Sequence, residues 1–398
     1  MICELRIHQF RNLQQASLSL ARCNLILGKN GSGKTSLLEA VFLLSRGRSF
    51  RHHEPKRFIS HHQKYCAVWA RLAGESPCTL AIQKTLDTAN KSETLLKLND
   101  TPVGSQGLIS QKLSVMLIDP SSMSVLDEGS TIRRQMLDWL VFHVKPEFYP
   151  EWLAYQRLLK QRNSLLKQPS IKHRQQEIYA WDKQLAYYAQ VLHRYREEVF
   201  LLWQQYFGQM LSVLLPDYEQ QITLNYQAGF DVKLPLDRIL FDRLEQDIEL
   251  GYTRVGSHRA DVLVVFRHEN DGQKIKEQAA NVLSRGEKKL LIAALKVSQL
   301  QVLCQLSQNS NHSIPTPVVL IDDIDAELDE WAVQTLLKAV LPLSCQVVIS
   351  SLNADIQQQI NQILLQNHIQ ENLTDEVCKV FHVEQGVFRC LTDEKSAE

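Results

Sequence analysis

The chain has 398 residues, enough for two or three domains at the usual ~100–200 residues each. Hydrophobic residues make up 44% and charged residues 22%, the profile of an ordinary globular protein, and 44 basic residues balance 44 acidic ones. Overall charge therefore excludes a partner held by a positive average; any phosphate contact must come from local clusters of Lys and Arg. The apolar runs are short, as from Val262 to Phe266, far below the ~18 residues that span a bilayer, and the charged N-terminus does not read as a signal peptide, so no membrane partner is expected. Eight scattered cysteines with no CxxC spacing give neither a zinc site nor a redox motif and read as reduced thiols of a cytoplasmic protein.

In chain order, the first third predicts strands at Ile2 to Ile7 and Ala16 to Leu20, where apolar and polar residues alternate, and a buried strand from Cys23 to Leu27. A helix follows on the spacing of Leu37, Leu38, Val41 and Leu44, then strands near Cys66 to Leu72 and Leu80 to Leu86, and a turn at Asn99-Asp100. Glycine is nearly absent from about 130 to 215, and helices are expected at 131–144, 150–168 and 175–214, the last long enough to form an arm. From about Val262 alternating strands and helices return. The simplest organisation is an α/β head of residues 1–120 plus 255–398, split by a largely helical arm domain of residues 121–254.

The strongest local signal is Gly28-Lys29-Asn30-Gly31-Ser32-Gly33-Lys34-Thr35, a match to G-x-x-x-x-G-K-[ST] between a predicted strand and a predicted helix. Glycines there let backbone N–H groups close around phosphates at a helix N-terminus. Lys34 is expected at the β- and γ-phosphates of ATP, and the Thr35 hydroxyl on Mg2+. A second element is Val318-Val319-Leu320-Ile321-Asp322-Asp323, a buried strand ending in two acids. Asp322 is placed to hold Mg2+ through water, and Asp323 to orient or deprotonate the attacking water. Alone, such a pair is a common strand end.

Leu283-Ser284-Arg285-Gly286-Glu287 resembles the LSGGQ signature of ABC ATPases. In that class Ser284 and Gly286 would meet the γ-phosphate of ATP held by a second copy of the chain; standing alone, S-x-x-E at a helix start is a capping box. About 250 positions separate Lys34 from Ser284, far more than in transporter ATPases, which points to the chromosome-maintenance branch of the class.

Further stretches carry a closer resemblance: Phe10-Arg11-Asn12, Ser49-Phe50-Arg51, Arg133 to Trp139, Leu159 to Asn163, Gly251-Tyr252-Thr253, Gly256 to Asp261, and Asp322 to Asp329. With them the chain resembles, over essentially its whole length, the RecF family of bacterial recombination mediators, SMC-like ABC ATPases. The resemblance implies an ATP-dependent homodimer that binds DNA, single-stranded and gapped duplex, works with RecR and RecO to load RecA, and takes part in replication and the SOS response. ATP and Mg2+ are the implied cofactors, and ATP hydrolysis would serve as a slow conformational switch. Pro120-Ser121 stands where the family often has Pro-Glu, and no His follows the strand Gln346 to Ser350, leaving Asn353 in the switch region. The competing reading is the ATPase subunit of a membrane transporter; the long spacer, the missing switch His and the basic arm disfavour it.

Two basic clusters are candidates for DNA: Arg157, Lys160, Arg162, Lys167, Lys172 and Arg174 with no acid among them, and Arg46, Arg48, Arg51, Lys56 and Arg57 against Glu54 alone. Solvated helix faces produce the same pattern. His52-His53 and His61-His62 read as loop residues, not metal ligands.

Overall fold

The computed structural model describes residues 1–52, 54–74, 76–87, 91–119, 124–127, 129–168, 175–270, 273–309, 314–326, 328–367 and 377–391. In chain order the elements are β1 (Ile2–Phe10), β2 (Leu13–Ser19), β3 (Cys23–Leu27), α1 (Lys34–Arg46), β4 (Tyr65–Leu72), β5 (Cys78–Leu86), β6 (Ser92–Leu98), β7 (Thr101–Pro102), α2 (Gln106–Lys112) and β8 (Val115–Ile118). There follow α3 (Ser124–Asp127), α4 (Ser130–Val144), α5 (Phe148–Leu166), α6 (Gln175–Leu214), β9 (Ile222–Gln227), α7 (Leu236–Asp242), α8 (Leu244–Leu250), β10 (Asp261–Asn270), β11 (Gln273–Gln278), α9 (Ala279–Val282) and α10 (Arg285–Asn309). The chain closes with β12 (Val318–Ile321), α11 (Glu330–Val340), β13 (Gln346–Ser351), α12 (Ile356–Gln366), β14 (Cys378–Glu384) and β15 (Val387–Cys390). Two compact units result, Met1–Ser122 with Ala293–Glu398, and Met123–Ile292.

In the first unit β1 buries Leu5 and Ile7 by alternation, and Ile2 and Phe10 across a register shift between Ile2 and Glu4 and a left-handed Gln9 (φ 52°), which places one face of an antiparallel sheet, order β2-β1-β4-β5-β6-β7, on the core. The expected turn at Asn99-Asp100 joins β6 to β7 with both residues left-handed, φ 48° and 60°, as a tight hairpin demands. The second sheet has the order β15-β14-β3-β13-β12-β8, with β14, β3, β13, β12 and β8 all parallel. Every residue of β3, β12 and β13 is buried, the polar Asn24, Gln346, Ser350 and Ser351 included, as in central strands of a parallel sheet covered on both faces. Parallel pairing aligns the strand ends: Ile118, Ile321 and Ile349 share a level, and Ser351 faces Leu27. The residues after these strands gather on one edge, where open α/β sheets bind ligands.

The second unit holds α4, α5 and α6 and a three-stranded antiparallel sheet, order β11-β10-β9. The 40-residue α6 buries Leu185, Ala189, Leu192, Val199, Trp203, Phe207 and Leu211 along one side, so packing rather than propensity sustains its length. Helix α10 is long and apolar enough over Arg285–Gln308 to cross a membrane by composition, but 67% of that window is buried inside the protein, the condition of a core helix.

Candidate nucleotide-binding site

Strand β3 ends at Leu27 and α1 begins at Lys34, so residues 28–33 form the loop between them. Gly33 has φ 122°, and a Cβ there would come within 2.9 Å of Leu13 Cδ2; Gly28 has no room either, since its Cβ would meet the Val383 carbonyl oxygen at 2.5 Å. Asn12 braces the loop from outside. Its Nδ2 donates to the Gly31 carbonyl at 3.0 Å, and its Oδ1 accepts from Ser36 Oγ at 2.8 Å. Gly386 N–H donates to the Ser32 carbonyl at 2.8 Å. Among the described residues the buried Ser32 hydroxyl has no hydrogen-bond partner, and none approaches within 4 Å of a Cβ built on Gly31. An orphaned donor beside an open loop and a helix N-terminus is the cradle that a phosphate group would fill.

Lys34 is 4% exposed; its Nζ donates to the Gly28 carbonyl at 2.8 Å and lies 3.6 Å from Asp323 Oδ1. Thr35 Oγ1 donates to Asp322 Oδ1 at 3.0 Å, and Ser350 Oγ donates to the same oxygen at 2.8 Å. Burial, and then the charges of Asp323 and Asp119, push the Asp322 carboxyl up to about 6 against those two hydrogen bonds. Asp323 holds the left-handed φ of 43°, and its N–H donates to Ser350 Oγ at 2.7 Å. The structure thus brings Lys34, Thr35, Asp322 and Asp323 into one cluster. A hydroxyl beside a buried carboxylate is an oxygen donor set suited to a hard divalent cation.

Several residues of this cluster carried no sequence signal. Ser350 sits inside an apolar strand. Asp119, just after β8, is an isolated acid; it lies 3.8 Å from the half-buried Lys296 Nζ, which donates to the Leu117 carbonyl at 2.6 Å. Asp325 accepts from the N–H groups of Leu352 and Asn353 at 2.9 Å each. The Asn353 side chain accepts from the N–H of Asp355 at 2.9 Å, a brace of its own loop. Asn12 belonged to a motif without an assigned role. Glu39, fully buried on α1, takes the Arg11 guanidinium and the Ser49 hydroxyl, and Ser49 Oγ accepts from His52 N–H at 2.9 Å. The Arg11 and Ser49 stretches are therefore clamps on α1. Pro120-Ser121 lies outside the described residues.

In the second unit, Ser284 N–H donates to Glu287 Oε2 at 2.8 Å, Glu287 N–H to Ser284 Oγ at 3.4 Å, and Tyr218 OH to Glu287 Oε1 at 2.6 Å. This capping box holds the start of α10. Nothing lies within 4 Å of a Cβ built on Gly286.

The basic clusters divide on inspection. Arg162 is fully buried, donating to Asp182, Asp247 and Thr253, so it is corrected from a phosphate contact to a core ion pair. It lies on the same helix face as the buried Tyr155, Leu158 and Leu165, a spacing that marks it as inward. Arg157, Lys160 and Lys167 are exposed; Lys172 and Arg174 lie outside the described residues. In the second cluster, Arg46 Nη2 donates to the Val115 carbonyl at 3.4 Å, Lys56 and Arg57 pair with Glu54, and Arg48 and Arg51 are exposed. His61-His62 forms a turn with φ 63° at His62; His53 is outside the described residues.

The remaining motifs lock the second unit internally. Arg133 grips Asp261 with two bonds of 2.9 and 2.8 Å. Arg196 is bidentate to Asp138 and donates to Ser257. Tyr155 OH lies 2.8 Å from His258 Nδ1, and burial drives that imidazole down to about 4.

The RecF/RecN/SMC N terminal domain family matches residues 1–375. The chain is similar to the DNA replication and repair protein RecF of Acinetobacter baumannii, 40% identical over 366 residues that cover 91% of this chain and 94% of that protein. It is likewise similar to that of Cellvibrio japonicus, 36% identical over 392 residues, covering 98% and 99%. Among solved structures it resembles the recombination mediator protein RecF-ATP of the RecFOR pathway, with TM-score 0.76 and 23% identity, covering 98% of this chain and 97% of that one. An Smc head bound to the C-winged helix domain of ScpA matches with TM-score 0.52 and 14% identity, covering 99% of both chains.

Proposed function

Because the chain belongs to the RecF branch of the RecF/RecN/SMC family, we propose that it is an ATP-switched DNA-binding protein of recombinational repair. The observation that carries the nucleotide reading is the convergence of Lys34, Thr35, Asp322 and Asp323 around a glycine loop with the unpartnered Ser32 hydroxyl. Gly28, Lys29, Asn30, Gly31, Ser32 and Gly33 would wrap the phosphates of ATP; Lys34 would move from the Gly28 carbonyl to meet their charge. Thr35 and Asp322 would hold Mg2+, whose role when bound is to draw charge from the phosphates. Asp323, fixed by its backbone bond to Ser350, would orient a water and take its proton. With Asn353 committed to its own loop, hydrolysis is slow, as suits a switch.

Ser284 and Gly286 would complete the site of a second copy, so that ATP joins two chains and its hydrolysis parts them. Relatives named for DNA replication and repair, and a structural relative of the RecFOR pathway, support DNA at single-strand gaps as the cargo and RecO, RecR and RecA as partners. Replication restart and the SOS response are the matching settings, in the cytoplasm. Nothing favours the transporter reading: the family match is to chromosome-maintenance proteins.

The decisive measurement is DNA affinity with ATP, with ADP and without nucleotide. Tighter binding with ATP, accompanied by dimerisation, is the expected result; equal affinity in all three states removes the switch.

A further inference from the structure

Helices α5 and α6 run antiparallel in one constant register. Lys145, just before α5, pairs with Glu198; Arg162 pairs with Asp182; Leu165 and Leu166 pack with Ile178. Burial of Ile178, Asp182, Leu185, Ala189 and Leu192 on α6 turns Tyr179, Lys183, Tyr187 and Arg194 outward, one or two helical turns apart. Tyr187 is 60% exposed and Tyr179 40%. The Lys183 ammonium sits 4.8 Å from the centre of the Tyr179 ring.

The Phe241 ring of α7 packs edge-on against Tyr179 at 6.3 Å, and along this stretch of α6 itself the exposed charge has one sign. Across residues 178–196 the single carboxylate is Asp182, and it is buried against Arg162. The exposed charges there, Lys183 and Arg194, are both positive; Glu177 and Glu197 bound the stretch. Exposed rings set between exposed cations fit a polyanion that also carries flat apolar faces. Duplex DNA hides its bases, so the rings would add nothing to it, whereas unpaired bases stack on them at any sequence. A protein partner would call for an interface centre depleted of charge. The two rings are about 12 Å apart along the axis, three to four base steps at a stacked rise of ~3.4 Å.

We propose that the outward face of α6 binds single-stranded DNA, with bases stacked on Tyr179 and Tyr187 and phosphates on Lys183 and Arg194. The assignment rests on the DNA reading above and names the strand and the chemistry at that surface.

The test uses the full chain with an oligothymidylate and a duplex of equal length, read by fluorescence anisotropy. Replacing both tyrosines, Tyr179→Ala with Tyr187→Ala, is expected to weaken single-strand binding by about tenfold or more and to leave duplex binding within about twofold. Changing both to Phe keeps the rings and the affinity. Lys183→Gln with Arg194→Gln shallows the single-strand salt slope by up to about 1.4, at ~0.7 per phosphate. Photocrosslinking of an iodouracil oligonucleotide to the peptide holding Tyr187 supports the same track. Unchanged single-strand affinity in the alanine variant overturns the proposal and leaves this face to a protein. A parent chain that binds neither DNA in any nucleotide state overturns the DNA reading itself, and this proposal with it.

Discussion

Arg162 Nε and Asp182 Oδ1 are 2.6 Å apart, with neither side chain more than 1% exposed. The same guanidinium reaches Asp247 at 2.7 Å and Thr253 at 2.8 Å, so one buried cation joins α5, α6, α8 and the segment after α8. Removing one partner of such a pair strands a buried charge, at a cost of about 3–5 kcal/mol. Arg162→Ala is expected to lower the unfolding free energy by that amount in a denaturant titration, while the exposed Arg157→Ala changes it by less than about 0.5 kcal/mol. Equal stability of the two variants would remove Arg162 from the core of this unit.

Lys34→Ala deletes the cation held at the glycine loop. Charge-assisted contacts are worth about 1.5–3 kcal/mol, so ATP affinity is expected to fall at least about tenfold in calorimetry. A folded variant that binds ATP as the parent does would refute the assignment of the loop.

Asp323→Asn keeps the shape and removes the charge beside Lys34. ATP binding should persist, turnover should fall, and the ATP-bound dimer should outlive that of the parent. Normal turnover would take Asp323 out of the hydrolytic role.

Ser284→Arg places bulk and charge where a second copy is expected to present its nucleotide. Light scattering should show a monomer with ATP, although the chain still binds the nucleotide. Glu287→Ala is the control, because it breaks the capping box at about 0.5–2 kcal/mol without adding bulk. If Ser284→Arg still dimerises with ATP, the motif is a helix cap alone.

Asp322 supplies a pH signature. Its folded value is raised to about 6 from an ordinary 3.8, so the folded state binds the proton more tightly than the unfolded chain does. Ionisation therefore costs stability as pH rises from about 4 to about 6, and the full cost persists above that window. Without nucleotide, Asp322→Asn is expected to raise the melting temperature at pH 8, by up to about 3 kcal/mol in stability, and to matter little at pH 4. In the parent, Mg2+ binding should release a proton near pH 6. An Asn variant with the parent's pH profile would contradict this.

The local motifs were legible because each is a contiguous peptide whose chemistry depends on spacing alone. Gly28 to Thr35, Asp322-Asp323 and Ser284 to Glu287 all declared themselves that way, and the apolar periods placed α1, α4, α5 and α6 within a few residues. Arg162 was also legible in principle. It falls on the apolar stripe of Tyr155, Leu158 and Leu165, but its charge among other cations read as a solvated face. Asp119 and Ser350 had no such pattern, since each is a single polar residue at, or just beyond, the end of a strand; Asn12 and Asp325 fell within motif stretches, but spacing alone gave neither a role.

The amino-acid order by itself determined that a glycine-rich strand-to-helix loop, an acidic strand end and a capped helix are present, because backbone conformation over eight or fewer residues follows largely from steric and hydrogen-bonding rules. Only the tertiary structure decided which of the many charged groups meet. Parallel pairing of β3, β13, β12 and β8 brings residues nearly 300 positions apart, Thr35 and Asp322, to 3.0 Å. Burial decided which arginines on one helix are structural and which remain for a partner, since the cost of an unpaired buried charge depends on what the rest of the chain packs around it.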